Sequence, residues 1–222
     1  MRIRRKKHLQ ERLKAVSDIL FVADYSVPDA RVANQNKTYF NFEEIYGNSN
    51  PVELEIGCGK GGFIVDKALL QPHTNFLAVE LLDNIVVMAS ENAKKHNVKN
   101  VRFFNCGAEY LPKYIKDSSI SNIYLNFSPP FNGVRYENRR LTNSRLIEYY
   151  KSFLVDKGCI YLKTDNKEFY DYSFSQFKKF GFNTIDTTEA VYSGAQENIK
   201  TEYEVKFLSQ NINIYYLKAE KL

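Results

Sequence analysis

The sequence predicts one α/β domain, in which a mostly parallel β-sheet carries helices on both faces. From residue 52 onward, short apolar runs of strand length alternate with longer segments of helical periodicity, the pattern of strand–helix–strand units. A glycine-rich turn follows the first of these strands. The chain has 222 residues, enough to bury one sizeable core. Together these features indicate a doubly wound sheet with a ligand at the carboxyl ends of its strands.

The elements follow one another in a regular order. Strands are predicted at 52–56, 75–79, 101–105, 121–127 and 158–164. The turn at 57–62 leads into a helix through residue 70, and further helices are predicted at 83–96, 141–155 and 167–179. Residues 182–188, 203–208 and 212–218 also have strand character. We expect these last segments to supply an antiparallel pair at the edge of the sheet.

The basic residues are unevenly distributed, although the net charge is only +5. Residues 1–48 are polar and irregular, with one short helix expected at 8–20, and they are predicted to precede a domain formed by 49–222. Their beginning forms a basic arm containing Arg2, Arg4, Arg5, Lys6, Lys7, Arg12 and Lys14. A second basic group contains Arg135, Arg139, Arg140 and Arg145. These groups fit a polyanionic partner, and they fit equally a solvated tail and a charged helix face.

Several classes of protein are disfavoured by the composition. No apolar run approaches the roughly 18 residues of a membrane span, and no apolar segment follows the basic N-terminus as in a signal peptide. The cysteines lack CxxC spacing, which predicts a reducing, cytoplasmic location; they are Cys58, Cys106 and Cys159. The histidines are equally scattered, so no metal site is predicted; they are His8, His73 and His96.

The glycine-rich turn is the strongest local signal for a cofactor. Gly57-x-Gly59-x-x-Gly62 fits the dinucleotide fingerprint, and it also fits a plain turn. Glu55 distinguishes between ligands, because its carboxylate would repel a pyrophosphate at this turn. The sulfonium and ammonium of S-adenosylmethionine would instead be attracted, and Glu80 could accept hydrogen bonds from the ribose hydroxyls. The sequence therefore favours S-adenosylmethionine over NAD.

An ordered set of motifs gives the chain a more specific resemblance. The set comprises Met1-Arg2-Ile3-Arg4, Gly47-Asn48-x-Asn50-Pro51, Glu55-Ile56-Gly57-Cys58-Gly59-Lys60-Gly61, Leu125-Asn126-Phe127-Ser128, Arg139-Arg140-Leu141-Thr142, Lys163-Thr164-Asp165-Asn166 and Thr201-Glu202-Tyr203-Glu204. With these motifs the chain resembles the tRNA (guanine-N7)-methyltransferase family over essentially its whole length. The resemblance implies a class I, Rossmann-like methyltransferase fold with a seven-stranded, mostly parallel sheet and a basic N-terminal arm. It also implies methyl transfer from S-adenosylmethionine to N7 of a guanosine in the variable loop of tRNA.

The glycine-rich turn, the basic groups and the resemblance together assign residues to the two ligands. The positions expected to bind the cofactor are Glu55, Gly57, Gly59, Glu80 and Gly107. Those expected to bind tRNA are Arg135, Arg139, Arg140, Asp165, Thr201 and Glu204. Without the resemblance, Asp165 would be interpreted as a helix N-cap and 201–204 as an edge strand with a charged face. The oligomeric state stays open between monomer and homodimer.

Three positions depart from the family pattern. The family has N-F-x-D-P-W-P-K-K-R-H after the fourth predicted strand, and here Pro129 replaces the aspartate and Gly133 the first lysine. After the third predicted strand, Gly107 replaces the acid that orients the adenine end of the cofactor, although Glu109 lies nearby in the sequence. The catalytic residue is therefore unassigned.

The loss of the aspartate leaves three functions open. Guanine N7 attacks through an in-plane lone pair and has no proton to lose, so the departure affects orientation and binding more than bond formation. A weak or inactive tRNA-binding paralogue is the second possibility. In the third, Ser128-Pro129-Pro130-Phe131 resembles the [D/N/S]-P-P-[Y/F/W] motif of methyltransferases that act on exocyclic amino groups. The same four residues also fit a proline-fixed loop with a buried phenylalanine.

Overall fold

The computed structural model describes residues 8–222, and its centre is a sheet of eight strands in the order β1-β4-β3-β2-β5-β6-β8-β7. The pairs from β1 through β6 are parallel, whereas β8 runs antiparallel to both β6 and β7. The strands are β1 Leu20–Val22, β2 Val52–Ile56, β3 Asn75–Glu80, β4 Val101–Asn105, β5 Ile120–Asn126, β6 Leu154–Thr164, β7 Phe182–Asp186 and β8 Tyr215–Lys221.

Nine α-helices accompany the strands in the described part of the chain: α1 Leu9–Ala15, α2 Ala30–Ala33, α3 Phe42–Tyr46, α4 Gly62–Leu70, α5 Asp83–Lys95, α6 Ser144–Phe153, α7 Lys167–Lys179, α8 Thr188–Tyr192 and α9 Glu202–Ser209. Two 3-10 segments, Ala108–Lys113 and Val134–Arg139, follow β4 and β5. Within residues 8–222, no helix has the length and apolar character needed to cross a membrane.

The two faces of the sheet bury different sets of side chains. Leu54 and Ile56 of β2 pack in one apolar cluster, which also contains Ile147 of α6 and Phe169 of α7. The cluster on the opposite face contains residues of α1, α4 and α5, among them Leu9, Ile64 and Val86. Successive strand residues point to opposite faces. The second face of β2 therefore carries Glu53 and Glu55, which are both buried.

The predicted mostly parallel α/β sheet is confirmed, but the sheet has eight strands rather than seven. The additional strand, β1, lies within the predicted lead-in and pairs with β4 through Leu20 and Phe103. Residues 203–208 were predicted as a strand and belong to helix α9, because Thr201 caps that helix by accepting a hydrogen bond from the Glu204 N–H. The predicted helix 141–155 spans Ser144–Phe153, after an N-cap at Asn143.

The described part of the lead-in packs on the sheet domain. Leu9, Val16 and Leu20 belong to the cluster that contains α5. Arg12 of the predicted basic arm donates to both carboxylate oxygens of Glu91, at 2.7 and 2.5 Å. The packing therefore continues across the boundary predicted at residue 48. The first motif and five basic residues of the arm lie outside the described residues: Arg2, Arg4, Arg5, Lys6 and Lys7.

Candidate cofactor and substrate site

The carboxyl ends of five parallel strands bring the predicted site residues to one edge of the sheet. Glu80 ends β3 and pairs in register with Asn105 at the end of β4, two residues before Gly107. Asn126 ends β5 and pairs with Lys163 of β6, two residues before Asp165. The crevice outside this edge is where doubly wound sheets bind their ligands.

The two buried carboxylates of β2 have different hydrogen-bond partners. Glu53 accepts from Asn122 Nδ2 at 2.8 Å and from the Tyr124 hydroxyl at 2.9 Å, and Lys67 Nζ lies 3.5 Å away. Glu55 accepts from Asn126 Nδ2 at 2.8 Å through Oε1 alone. Its buried Oε2 has no hydrogen-bond partner among residues 8–222. A buried carboxylate oxygen without a donor is unfavourable, so Glu55 is poised for a cationic or hydrogen-bonding ligand.

Burial raises the pKa of Glu55 from 4.5 to about 7, against the lowering effects of the Asn126 hydrogen bond and the Lys163 charge. The carboxyl group is therefore partly protonated near neutral pH in the ligand-free protein. A cation beside it would favour the ionised form and gain a strong electrostatic contact in a dry environment.

The glycine-rich turn that follows Glu55 is open on one side. Gly57 and Gly59 have φ of 84° and 56°, a region that suits glycine. A Cβ on Gly59 would meet no atom within 4 Å, so this side of the turn is open. Glu80 accepts from the Gly59 N–H at 3.2 Å and from the Leu82 N–H at 3.0 Å.

These residues fit S-adenosylmethionine. The free oxygen of Glu55 suits its cationic end, and Glu80, at the neighbouring strand end, suits its ribose hydroxyls. Within residues 8–222, no group of three or more His, Cys, Asp or Glu side chains is arranged to hold a metal ion.

The segment after β5 has an unusual backbone. Phe127 and Phe131 have φ of 49° and 43°, which bulky residues rarely adopt. They flank the exposed Pro129 and a buried Ser128, whose Oγ has no partner in the described structure. The Phe127 ring lies 6.0 Å from that of Tyr203, which is 57% exposed. Strained backbone of this kind is concentrated at functional sites.

The three predicted tRNA-binding arginines have different environments. Arg140 is only 2% exposed; it donates to the Pro130 carbonyl at 2.8 Å and to Glu168 at 3.3 Å. It thereby holds the loop that contains Pro129. Arg135 and Arg139 are exposed, and the Arg139 guanidinium lies 4.6 Å from the centre of the Phe131 ring.

Thr201 and Glu204 form a buried capping box at the start of α9. The Thr201 side chain accepts from the Glu204 N–H at 3.0 Å, and Glu204 Oε2 accepts from the Thr201 N–H at 3.3 Å. Glu204 also accepts from Lys163 Nζ at 3.0 Å and from the Tyr216 hydroxyl at 2.6 Å. Both residues thus bind other parts of the protein and fix α9 beside the edge of the sheet.

Asp165 is exposed at this edge, and the N-cap of α7 is the next residue, Asn166, whose Oδ1 accepts from the Phe169 N–H at 2.8 Å. The Asp165 carboxylate is therefore open to a ligand.

The sequence alone did not identify the partners of Glu204, which are Lys163, Tyr216 and Asn198. Lys163 belonged to a recognised motif, but its pairing over 41 positions of sequence had no local signal.

The known proteins that this chain matches are methyltransferases. Residues 49–217 match a family model described as "Putative methyltransferase". A tRNA (guanine-N(7)-)-methyltransferase of Bacillus licheniformis is 34% identical over 89% of this chain and 94% of its own length. One from Listeria monocytogenes is 34% identical, covering 99% of this chain and 98% of its own. One from Streptococcus uberis is 31% identical over 99% of both chains.

Solved structures agree on the fold. A 16S rRNA methyltransferase superposes with a TM-score of 0.60 at 11% identity, covering 83% of this chain and 95% of its own. A 30S ribosomal A1408 methyltransferase from an uncultured bacterium gives 0.57 at 14% identity, covering 82% and 92%. At these identities the similarity establishes the class I methyltransferase fold alone.

Glu55→Gln should make the ligand-free protein more stable above neutral pH while weakening its binding of S-adenosylmethionine. The raised pKa means that folded Glu55 holds its proton where the unfolded chain has lost it, so the wild-type free energy of unfolding falls as pH rises from 4.5 to about 7. Glutamine avoids that loss, and the variant should gain about 3 kcal/mol near pH 8 and nothing near pH 4.

Urea unfolding and calorimetry would measure the two effects. Glu80→Gln is the matched control: it should weaken cofactor binding without the gain in stability, because both Glu80 oxygens already accept backbone hydrogen bonds. A Glu55→Gln variant that is less stable near pH 8, or that binds the cofactor as tightly as wild type, would contradict this interpretation.

Glu204→Ala should destabilise the protein by about 3–5 kcal/mol, because the buried Lys163 ammonium loses its ion-pair partner and keeps only the neutral acceptors of Asn198 and Ile199. Adding Lys163→Met should recover part of that loss, since the unpaired charge is removed. Urea unfolding would measure it, with Glu202→Ala, at an exposed position of the same helix turn, as the control. Unchanged stability with reduced tRNA affinity would show instead that Glu204 acts by direct contact with RNA.

Proposed function

We propose that this chain, which belongs to the tRNA (guanine-N(7)-)-methyltransferase family, transfers a methyl group from S-adenosylmethionine to N7 of a guanosine in the variable loop of tRNA. The main support is the buried Glu55 carboxylate: Asn126 donates to one oxygen, the other has no partner among residues 8–222, and the glycine turn that follows is open on one side. The family relatives support the RNA substrate and the target atom.

The proposed reaction is a single displacement. When bound, S-adenosylmethionine would supply a methyl group on a positively charged sulfur; the sulfur would leave as a neutral thioether, and the positive charge would pass to the methylated base. The guanine N7 lone pair lies in the plane of the base and forms the new N–CH3 bond without losing a proton, so no general base is needed. The protein must therefore align two reactants and exclude water.

Different residues would bind the cofactor and the substrate. Glu55 balances the positive end of the cofactor, and Glu80 holds its ribose. On the substrate side, the exposed Asp165 carboxylate can accept from N1–H and the 2-amino group of guanine. The rings of Phe127 and Tyr203 offer apolar faces to the base, while Arg135 and Arg139 are available for phosphates.

The departures at Pro129 and Gly133 bear on rate. Both are exposed on the loop that Arg140 anchors through the Pro130 carbonyl. The loop is therefore held in place although the family's aspartate and lysine are missing. Because the reaction requires no general base, we expect slow methylation rather than none. The buried, unpartnered Ser128 hydroxyl favours a second candidate, transfer to an exocyclic amino group, because that oxygen could accept from an NH2.

The proposed setting follows from the same observations. Residues 49–222 would form the catalytic domain, with the basic arm contributing to tRNA binding. The cytoplasm is the proposed compartment, because all three cysteines are buried as free thiols and the proposed substrate is tRNA.

Incubation of the wild-type protein with unmodified tRNA and S-adenosylmethionine should yield 7-methylguanosine, detected by mass spectrometry of the nucleosides. Pro129→Asp with Gly133→Lys should raise the single-turnover rate by about tenfold to a hundredfold, if a charge-assisted contact is regained in the transition state. Pro129→Asn with Gly133→Lys is the matched control, since it loosens the loop equally without adding the carboxylate.

The products separate the alternatives. An N-methylated adenine or cytosine as the only product would contradict N7 transfer and support the Ser128 candidate. The protein would be a tRNA-binding protein without activity if the wild type and the Pro129→Asp, Gly133→Lys variant both bind tRNA tightly and neither yields a methylated nucleoside.

A further inference from the structure

We propose that Glu109 binds the exocyclic amino group of the cofactor's adenine and thereby selects adenine against bases with a 6-oxo group. Glu109 would replace the acidic residue that the family has at position 107, where this chain has glycine. The inference rests on the proposed function in one respect, that the ligand of this crevice is S-adenosylmethionine. It concerns a different end of that ligand from the reacting methyl group.

The order of the strands determines where the adenine lies. The methyl group must face the substrate, and the exposed residues proposed to contact tRNA follow β5 and β6. The charged end of the cofactor therefore lies at β2, where Glu55 is, and the ribose lies at the end of β3, where Glu80 is. The next strand in that direction is β4. The base must extend toward the residues that follow Asn105.

The Glu109 carboxylate occupies the space where a side chain at position 107 would begin. A Cβ on Gly107 would lie 2.9 Å from Glu109 Oε1 and 3.0 Å from Oε2. The φ of Gly107 is −75°, so its backbone conformation alone does not require glycine. The absence of a side chain at 107 is what leaves room for the carboxylate, and the two positions form a matched pair.

The carboxylate is available to a ligand. Glu109 is half-buried, and its side chain makes no hydrogen bond or ion pair with any residue in 8–222. The neighbouring backbone is already satisfied, because the Gly107 N–H donates to the Tyr25 hydroxyl at 2.8 Å. The Tyr25 ring packs edge-on against Tyr110, with 4.8 Å between ring centres, and so fixes this turn.

The chemistry of a carboxylate distinguishes the two kinds of purine. The 6-amino group of adenine is a donor and can give a charge-assisted hydrogen bond to Glu109. A 6-oxo group in the same place would set an acceptor against a carboxylate and be repelled. Glu109 also lies in the first turn of the 3-10 segment Ala108–Lys113, where an acid has a purely structural use. A test must separate these two roles.

Calorimetry with two ligands makes that separation in the full-length protein without tRNA. The ligands are S-adenosylhomocysteine and its 6-oxo analogue S-inosylhomocysteine. Glu109→Gln should weaken the adenine ligand by about tenfold to a hundredfold and leave the 6-oxo ligand equal or tighter. Asp117→Asn is the matched control. It removes one exposed negative charge at the amino end of β5, away from the carboxyl ends of the strands, and should change neither affinity.

Moving the acid back tests its position. Gly107→Asp alone should weaken adenine binding, because its Cβ collides with the Glu109 carboxylate and brings a like charge beside it. Gly107→Asp combined with Glu109→Ala should restore most of the preference for adenine over the 6-oxo base. Glu109→Ala alone should lack that preference.

An unchanged ratio of the two affinities in Glu109→Gln would overturn the proposal, whether or not the melting temperature falls. So would a double variant that binds both ligands equally. A wild-type protein that binds neither S-adenosylmethionine nor S-adenosylhomocysteine would instead overturn the proposed function, so the two failures are distinguishable.

Discussion

The structure depends on how two carboxylates are accommodated on the buried face of its central strand. Glu53 and Glu55 alternate with Leu54 and Ile56, so one face of β2 is apolar and the other carries two acids. Burying a carboxylate is costly unless donors satisfy it. Glu53 is satisfied inside the protein by Asn122, Tyr124 and Lys67. Glu55 is only half satisfied within residues 8–222, and this difference separates a structural acid from the proposed cofactor ligand.

The same polar face extends across the sheet to the substrate side. Lys163 of β6 bonds to Glu204, and Glu204 also bonds to Tyr216 of β8. Burial lowers the pKa of Lys163, and the Lys163 charge and the Tyr216 hydroxyl help to hold the pKa of Glu204 below its ordinary value. The motif at 201–204 thus fixes α9 beside the strand ends. A charged motif at the edge of a sheet can therefore be used inside the protein, without contact to a ligand.

Local patterns made the parallel core and the cofactor turn predictable, because strand alternation and the E-x-G-x-G spacing lie within a few residues of each other. The short strand β1 was missed, since three residues carry little periodicity and its pairing with β4 is remote. The alternation of Tyr203, Val205 and Phe207 predicts a strand, whereas the structure has helix α9 there, which begins at the Thr201-x-x-Glu204 capping box. The burial of Arg140 depends on carbonyls and on Glu168, which charge pattern alone cannot reveal.

Titration of Glu55 by carboxyl 13C NMR, with its signal assigned from the spectrum of Glu55→Gln, tests directly whether this carboxylate is the centre of the site. In the ligand-free protein the midpoint should lie at about 7, because the carboxyl is buried with one oxygen unpartnered. Saturation with S-adenosylmethionine should lower the midpoint well below 7, since a cation then faces the group. A midpoint near 4.5 without ligand, or one that the cofactor leaves unchanged, would contradict the assignment of Glu55 as the carboxylate on which the site is built.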